Sequence, residues 1–463
     1  MHDRYESPFV VRYASPEMCA LFSEQHRIVL FRKLWTALAS AQKKLGLPIT
    51  DRQLEQMHAH LEKIPFDRVR ALEQRTRHDV MAHILAFGEQ CPEAKPIIHL
   101  GATSTFVTDN ADLIQIKEAL SLLSKKITIL LRRLSEFASA HAEVACLGYT
   151  HYQAAQPTTV GKRACLWLQD LLIDALEWER LHQSLPLLGV KGATGTQASF
   201  LALFNGNGEK VKELELLVAH EFGFKSIFPI CGQTYPRKTD LLLLNTLEAF
   251  AAGAHKMATD LRLLSHDGEL RERFSEEQVG SSAMPYKRNP MYSERVCALA
   301  RFLISLAQNP AYTLATQWLE RSLDDSANRR LSIPEAFLAA DSILNILCSL
   351  VPTIHVERPL IKENLERLLP QMIQENILME AVKRGGNRQE IHEKLRRLKS
   401  ITPEILAKDP DFLMNREEAE ALCDLKKLVG RAPEQVREFL QGPVASFLER
   451  QPSTAVAIPS LEI

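Results

Sequence analysis

The segment Gly280-Ser281-Ser282-Ala283-Met284-Pro285-Tyr286-Lys287-Arg288-Asn289-Pro290 gathers small, hydroxylated and cationic residues that no apolar core could use. Gly280 frees the backbone, Pro285 and Pro290 forbid a helix across the segment, and Lys287 and Arg288 bring two positive charges to its tip. A helix-like run, Met291 to Ala307, begins directly after it. Backbone N–H groups and the helix dipole both favour negative charge at such a junction, so the loop reads as one that closes over an anion. Taken alone, the same residues also fit a solvated turn.

Four further segments carry reactive groups. Arg77-His78-Asp79 sets three charged or titratable residues in a row, otherwise a charged helix face. Gly101-Ala102-Thr103-Ser104 offers two hydroxyls and a flexible backbone beside His99, otherwise a helix N-cap. In Thr150-His151-Tyr152-Gln153-Ala154-Ala155-Gln156-Pro157 a His and two amides precede a helix, and a lone His is structural until it has a partner. Arg321 to Arg330 combines three Arg with hydroxyl and amide groups. Guanidinium forks suit phosphate and carboxylate oxygens, and equally a salt-bridged surface.

The elements that must position these groups are helices. Thr108 to Val144 holds neither Gly nor Pro, and Leu113, Ile116, Leu120, Leu123, Ile127, Leu130, Leu134 and Phe137 form one continuous apolar face. Such a helix would be roughly 55 Å long. Comparable stretches at Thr159–Leu185, Thr239–His266, Met291–Ala307 and Pro334–Leu350 predict an all-α protein with a central bundle of long helices. Leu241 to Leu244 make one of them apolar nearly all round, which helices of other chains would cover. Shorter, Pro-punctuated patterns flank the bundle and predict three domains, 1–103, 104–356 and 357–463. Asn205 to Gly208 reads as a turn and Ser226 to Ile230 as a short strand.

Together these blocks, in this order, resemble the fumarase/aspartase superfamily over essentially the whole chain. The loop has the Ser-Ser-Ala-Met-Pro-x-Lys-Arg-Asn-Pro form carried by adenylosuccinate lyases, and the animal type is matched more than the shorter bacterial one. Arg12-Tyr13-Ala14-Ser15-Pro16-Glu17-Met18, Gly192 to Gln197, Gly232-Gln233-Thr234-Tyr235 and Gly385 to Gln389 belong to the same resemblance. One departure is Ala154, where the family usually has Pro. The resemblance implies β-elimination of fumarate from adenylosuccinate and from the succinylated carboxamide ribotide SAICAR, in purine synthesis. It implies Ser281 as base, Lys287 as the cation holding the alkoxide and the carbanion's carboxylate, His151 as acid and Glu294 as its partner. His78 would be a secondary acid or phosphate contact, within the Arg77-His78-Asp79 block. Thr103, Ser104 and Gln233 would contact the succinyl carboxylates, and Arg12, Tyr13, Arg295, Arg321, Ser326 and Arg330 the phosphate and ribose; Arg77 and Asp79 complete the substrate contacts. A homotetramer is also implied, with His151 and the Ser281 loop reaching one site from different subunits.

Composition bounds the alternatives. Lys plus Arg (56) balances Asp plus Glu (57) over 463 residues, so there is no general field for nucleic acid or an anionic membrane, and phosphate recognition must be local. The eight cysteines stand singly without zinc-ligand spacing, which predicts free thiols in a reducing cytoplasm and no metal. No signal peptide and no apolar run of membrane-spanning length is read, and no P-loop or dinucleotide fingerprint, so no cofactor is expected. The rival readings are another fumarate-releasing lyase, such as an argininosuccinate lyase, and a non-catalytic structural protein on the same fold.

Overall fold

Long stretches without Gly or Pro, repeating apolar residues on one face, fold as helices whose stripes bury one another. In the computed structural model, which describes residues 3–274, 278–398, 401–452 and 458, the N-terminal part contributes α1 (Glu24–Lys44), α2 (Phe66–Thr76) and α3 (Asp79–Gln90). The bundle follows: α4 (Ser104–Ala140), the hairpin β1 (Ala145–Thr150) and β2 (Gln153–Thr159), α5 (Val160–Ser184), α6 (Lys238–His266), α7 (Met291–Leu306) and α8 (Asp325–Leu350). Then comes α9 (Arg358–Met372) and a set of shorter helices.

Side-chain contacts set the directions. The first turns of α4, α6 and α8 meet, because Asp109 and Asp325 both bind Arg237, while Arg329 binds Asp112 and Asp240. α5 runs the other way, since its start meets the end of α6 through Trp167 and Asp260, and its later residue Trp178 packs on Phe250. α7 is likewise antiparallel to α6, Cys297 lying beside Arg262. One end of the bundle therefore collects the starts of α4, α6 and α8. The other holds the hairpin and the 280–290 loop. Trp35, Leu120, Leu168, Phe250, Phe337 and Ile346 belong to one continuous core, a second cluster spans Ile373 to Leu428, and Val436, Val444 and Phe447 pack back onto the first.

The all-helical architecture matches the sequence expectation, with local corrections. The longest helix spans Ser104–Ala140 rather than 108–144. α8 starts at Asp325, nine residues before the expected Pro334, because Pro334 lacks only one N–H bond and the turns before it are held by the buried Arg329 and Asp325. The hairpin was not anticipated, and the strand expected at Ser226–Ile230 is only an isolated parallel bridge between Leu187 and Ile227. Asp325–Thr353 is long and apolar enough to cross a membrane by length and composition, but its apolar run is interrupted by Glu335 and Asp341 and most of it is buried in the bundle. All eight cysteines are free.

Candidate active site

At the end where α4, α6 and α8 begin, a cleft of about 970 Å³ is lined by Arg77, His78, Asp79, Ser104, Arg321, Ser326 and Arg330. His78 caps α3, its Nδ1 accepting the Met81 N–H at 3.3 Å. The proton of the neutral ring therefore sits on Nε2, which faces Ser104 Oγ at 3.5 Å. Thr103 precedes α4 without capping it, so its hydroxyl is turned to Gln233 Nε2, 3.5 Å away, and the first N–H groups of α4 lack a side-chain cap. Gln233 Oε1 accepts from Arg321 Nη1 at 2.7 Å, and its own N–H donates to the Glu320 carbonyl. Among the described residues Arg321 Nε is buried with no hydrogen-bond partner, a donor held ready for one.

Arg330 reaches Asp79 at 3.1 Å. Partial burial raises the Asp79 carboxyl, but the Val80 N–H and Arg330 outweigh it and hold the group below its ordinary range. Arg77 closes α2 in the left-handed region, φ 56°, at the rim. Beneath the rim, Arg237 and Arg329 are buried against Asp109, Asp112, Asp240 and Asp325, and Arg329 also donates to the Tyr235 hydroxyl. These two guanidiniums and Arg27, which pairs with Asp112, are held by carboxylates, while Arg77, Arg321 and the more exposed Arg330, paired with Asp79, face the cleft. Nearby His99 accepts from Trp35 Nε1 at 2.8 Å, and burial lowers it to about 4, so it stays neutral.

The second group lies at the other end. Ser281 Oγ accepts two backbone N–H groups, from Ala283 at 3.3 Å and Met284 at 3.1 Å. Donors aimed at a hydroxyl oxygen stabilise negative charge on it. The loop is braced by Asn289 Nδ2, which donates to the Gly280 carbonyl at 2.8 Å, and Gly280 packs directly against the Lys287 carbonyl. Pro290 cannot cap α7; Glu272 does so across the loop, accepting from the Tyr292 and Ser293 N–H groups at 3.0 and 2.8 Å. Lys287 and Glu294 are exposed, while Arg295 lies 5.7 Å over the Tyr13 ring with Arg12 exposed alongside.

The third group is His151, exposed at the tip of the hairpin. Thr150 pairs with Gln153, so His151 and Tyr152 are the whole turn, and both have positive φ, 51° and 55°. Such turns normally use Asn or Gly, so two bulky residues here carry strain of the kind found at functional sites. Among the described residues of one chain, nothing hydrogen-bonds or ion-pairs with the His151 side chain, Glu294 included. The hairpin instead packs on α9, and Arg163 at the start of α5 donates to the Leu147 carbonyl of β1 while lying 3.8 Å from Glu269.

The structure thus brings the 77–79, 103–104, 233 and 321–330 residues together, and Arg12, Tyr13 and Arg295 near the loop, but does not unite these groups with each other. α4 separates Ser104 from the hairpin by about 55 Å and α6 separates Gln233 from the loop by about 43 Å at the usual helical rise. Sequence reasoning missed the Arg237/Arg329 carboxylate network, whose Asp109 and Asp240 look like ordinary polar helix positions. It also missed Glu272. Among the described residues no cluster of His, Cys, Asp and Glu could hold a metal ion.

Residues 33–302 match the family model described as Lyase, and 370–439 the one described as Adenylosuccinate lyase C-terminus. The chain is 47% identical to the adenylosuccinate lyase of Saccharomyces cerevisiae, with 97% of this chain and 96% of that one covered. It is 46% identical to that of Schizosaccharomyces pombe (96% and 95%) and 44% to that of Schistosoma mansoni (96% and 95%). The chain belongs to the adenylosuccinate lyase family. A fumarate lyase structure from Mesorhizobium sp. BNC1 shares the fold, with TM-score 0.82 at 24% identity over 95% of this chain and all of that one. Within the adenylosuccinate lyase family frame, the 280–290 loop is the segment singled out first from sequence.

Proposed function

We propose that the protein eliminates fumarate from adenylosuccinate, giving AMP, and from SAICAR, giving the carboxamide ribotide AICAR, as a cytoplasmic enzyme. Full-length identity near one half to relatives named adenylosuccinate lyase carries this reading. Ser281, as its alkoxide, takes the proton from the succinyl carbon next to a carboxylate. The electron pair delocalises into that carboxylate, then forms the fumarate double bond as the carbon–nitrogen bond breaks. His151, partnered by Glu294, protonates the departing nitrogen. The two N–H groups on Ser281 Oγ and the ammonium of Lys287, which has no partner among the described residues, support the alkoxide. Thr103, Ser104 and Gln233 suit the succinyl carboxylates and His78 a secondary acid or phosphate contact; Arg77, Arg321, Ser326 and Arg330, with Arg12, Tyr13 and Arg295, suit phosphate and ribose, Asp79 steadying Arg330.

No single chain places these groups around one substrate, so the reading includes a homotetramer with each site drawn from three chains. Its support is the helix-length separation of the three groups, together with apolar residues left exposed on the bundle: Leu166 and Ile173 on α5, Leu242 on α6 and Leu331 on α8. Incubation with adenylosuccinate while fumarate and AMP are followed tests the function. Absence of both products from folded protein would end it, and turnover of argininosuccinate instead would favour the rival lyase.

A further inference from the structure

Lys126 and Asp341 are completely buried and charged, yet the mechanism above does not use them. Lys126, on α4, donates its three protons to Ser15 Oγ at 2.9 Å, Asn345 Oδ1 at 2.8 Å and Asp341 Oδ1. The other Asp341 oxygen accepts the Ser15 N–H at 2.7 Å and Asn345 Nδ2 at 3.1 Å. Asn345 Nδ2 also reaches the Tyr13 carbonyl at 3.4 Å, and Ser15 Oγ caps the following helix through the Met18 N–H. Every strong donor and acceptor of the cluster has a partner. Apolar residues of similar volume would fill such a site with equal or better stability, so a buried ion pair points to a geometric role.

The backbone it grips is Tyr13 to Ser15, the stem of Arg12 and Tyr13. On its other side this segment makes ring contacts, Phe9 lying 5.4 Å from Phe302 and Tyr13 under Arg295, and Ser7 Oγ donates to Glu335 at 3.5 Å. We propose that Lys126, Asp341 and Asn345 are positioning residues for the nucleotide subsite, clamping the Tyr13–Ser15 backbone to α4 and α8 so that Arg12 and Tyr13 stand beside Arg295. The proposal rests on the reading of Arg12 and Tyr13 as phosphate and ribose contacts.

The test is the double variant Lys126→Met/Asp341→Leu, which removes both charges while keeping the site filled. The expected result is a folded enzyme whose KM for adenylosuccinate rises about tenfold or more while kcat stays within about threefold, as for lost ground-state binding. Its preference for adenylosuccinate over dephosphorylated succinyladenosine falls by a similar factor, which a purely structural role would not produce. Should the double variant fail to fold, Asn345→Ala removes the contact to Tyr13 and leaves the ion pair; its KM should rise in the same sense. Arg12→Ala is measured alongside. Raised KM in Arg12→Ala with wild-type KM in the folded clamp variant overturns the clamp alone. Wild-type KM in Arg12→Ala overturns the subsite reading and the proposal with it.

Discussion

Gly280→Ala tests the loop through a single methyl group. A Cβ at Gly280 would lie 1.9 Å from the Lys287 carbonyl oxygen and 3.0 Å from Phe274 Cζ, where real contacts stay above 3.0 Å. The Lys287 main chain must therefore retreat by about 1.1 Å, the difference between those two distances. It cannot do so freely, because Asn289 Nδ2 ties the other arm of the loop to the Gly280 carbonyl at 2.8 Å. The methyl group thus displaces the Lys287 main chain, on whose placement the proposed support of the alkoxide depends. Misplacement of a reacting group by about 1 Å costs on the order of 10²-fold, or about 2.7 kcal/mol of barrier. Overpacking of this kind costs about 1–3 kcal/mol of stability, so kcat is compared well below the melting temperature of either protein. Fumarate release at saturating adenylosuccinate, with calorimetric melting in parallel, is the assay. A variant that keeps more than about a third of wild-type kcat, or whose loss is present only near its melting temperature, would refute the reasoning.

Ser281→Ala should bind substrate normally but lose several orders of magnitude in turnover; retention of more than roughly a tenth, under about 1.4 kcal/mol, would remove Ser281 as the base. His151→Ala and Ser281→Ala, each inactive, should regain activity when co-refolded, with up to about a quarter of sites intact under random mixing. Mixed tetramers seen by native mass spectrometry without regained activity would place both residues of a site on one chain. Arg330→Ala should raise KM more than it lowers kcat, and the reverse pattern in initial rates would contradict a phosphate contact. Asp174, on α5, is pushed up to about 7 by burial and then by Asp170. Its folded value lies above the unfolded one of about 3.9, so its stabilising neutral form is fully present below about pH 4 and is lost as pH rises through about 7. Asp174→Asn should therefore melt above wild type at pH 8, with the gap narrowing towards pH 4; equal melting temperatures across that range would rule it out.

Much of the architecture was legible because it rests on period and punctuation. The apolar rows of α4 to α7 have one reading at 3.6 residues per turn, and the interruptions at Pro290 and Pro359 are local chemistry. The hairpin was not legible, because its turn is His151-Tyr152 instead of Asn or Gly and only strand pairing holds those residues at positive φ. The start of α8 was missed for a similar reason: Pro334 reads as a boundary, and the contacts that carry the helix past it come from Arg237 and Asp240, far away in the chain.

The residue types of the site were also visible in the chain. Ser281, Lys287, His151 and the Arg321–Arg330 run stand in segments whose composition no core would choose, and chemistry of that kind depends on residue identity and short spacing. Their grouping was not. Whether Gln233 meets Thr103 and Arg321, whether Asp79 meets Arg330, and whether two N–H groups point at Ser281 Oγ are matters of distance between segments remote in sequence or of backbone direction within a loop. The rigid lengths of α4 and α6 likewise place the hairpin and the loop at the opposite end of the bundle from the cleft. Sequence determined which groups are present, because periodicity and composition are local properties. Only the tertiary structure decided which of them share a surface, because helices of fixed rise and buried ion pairs convert positions along the chain into positions in space.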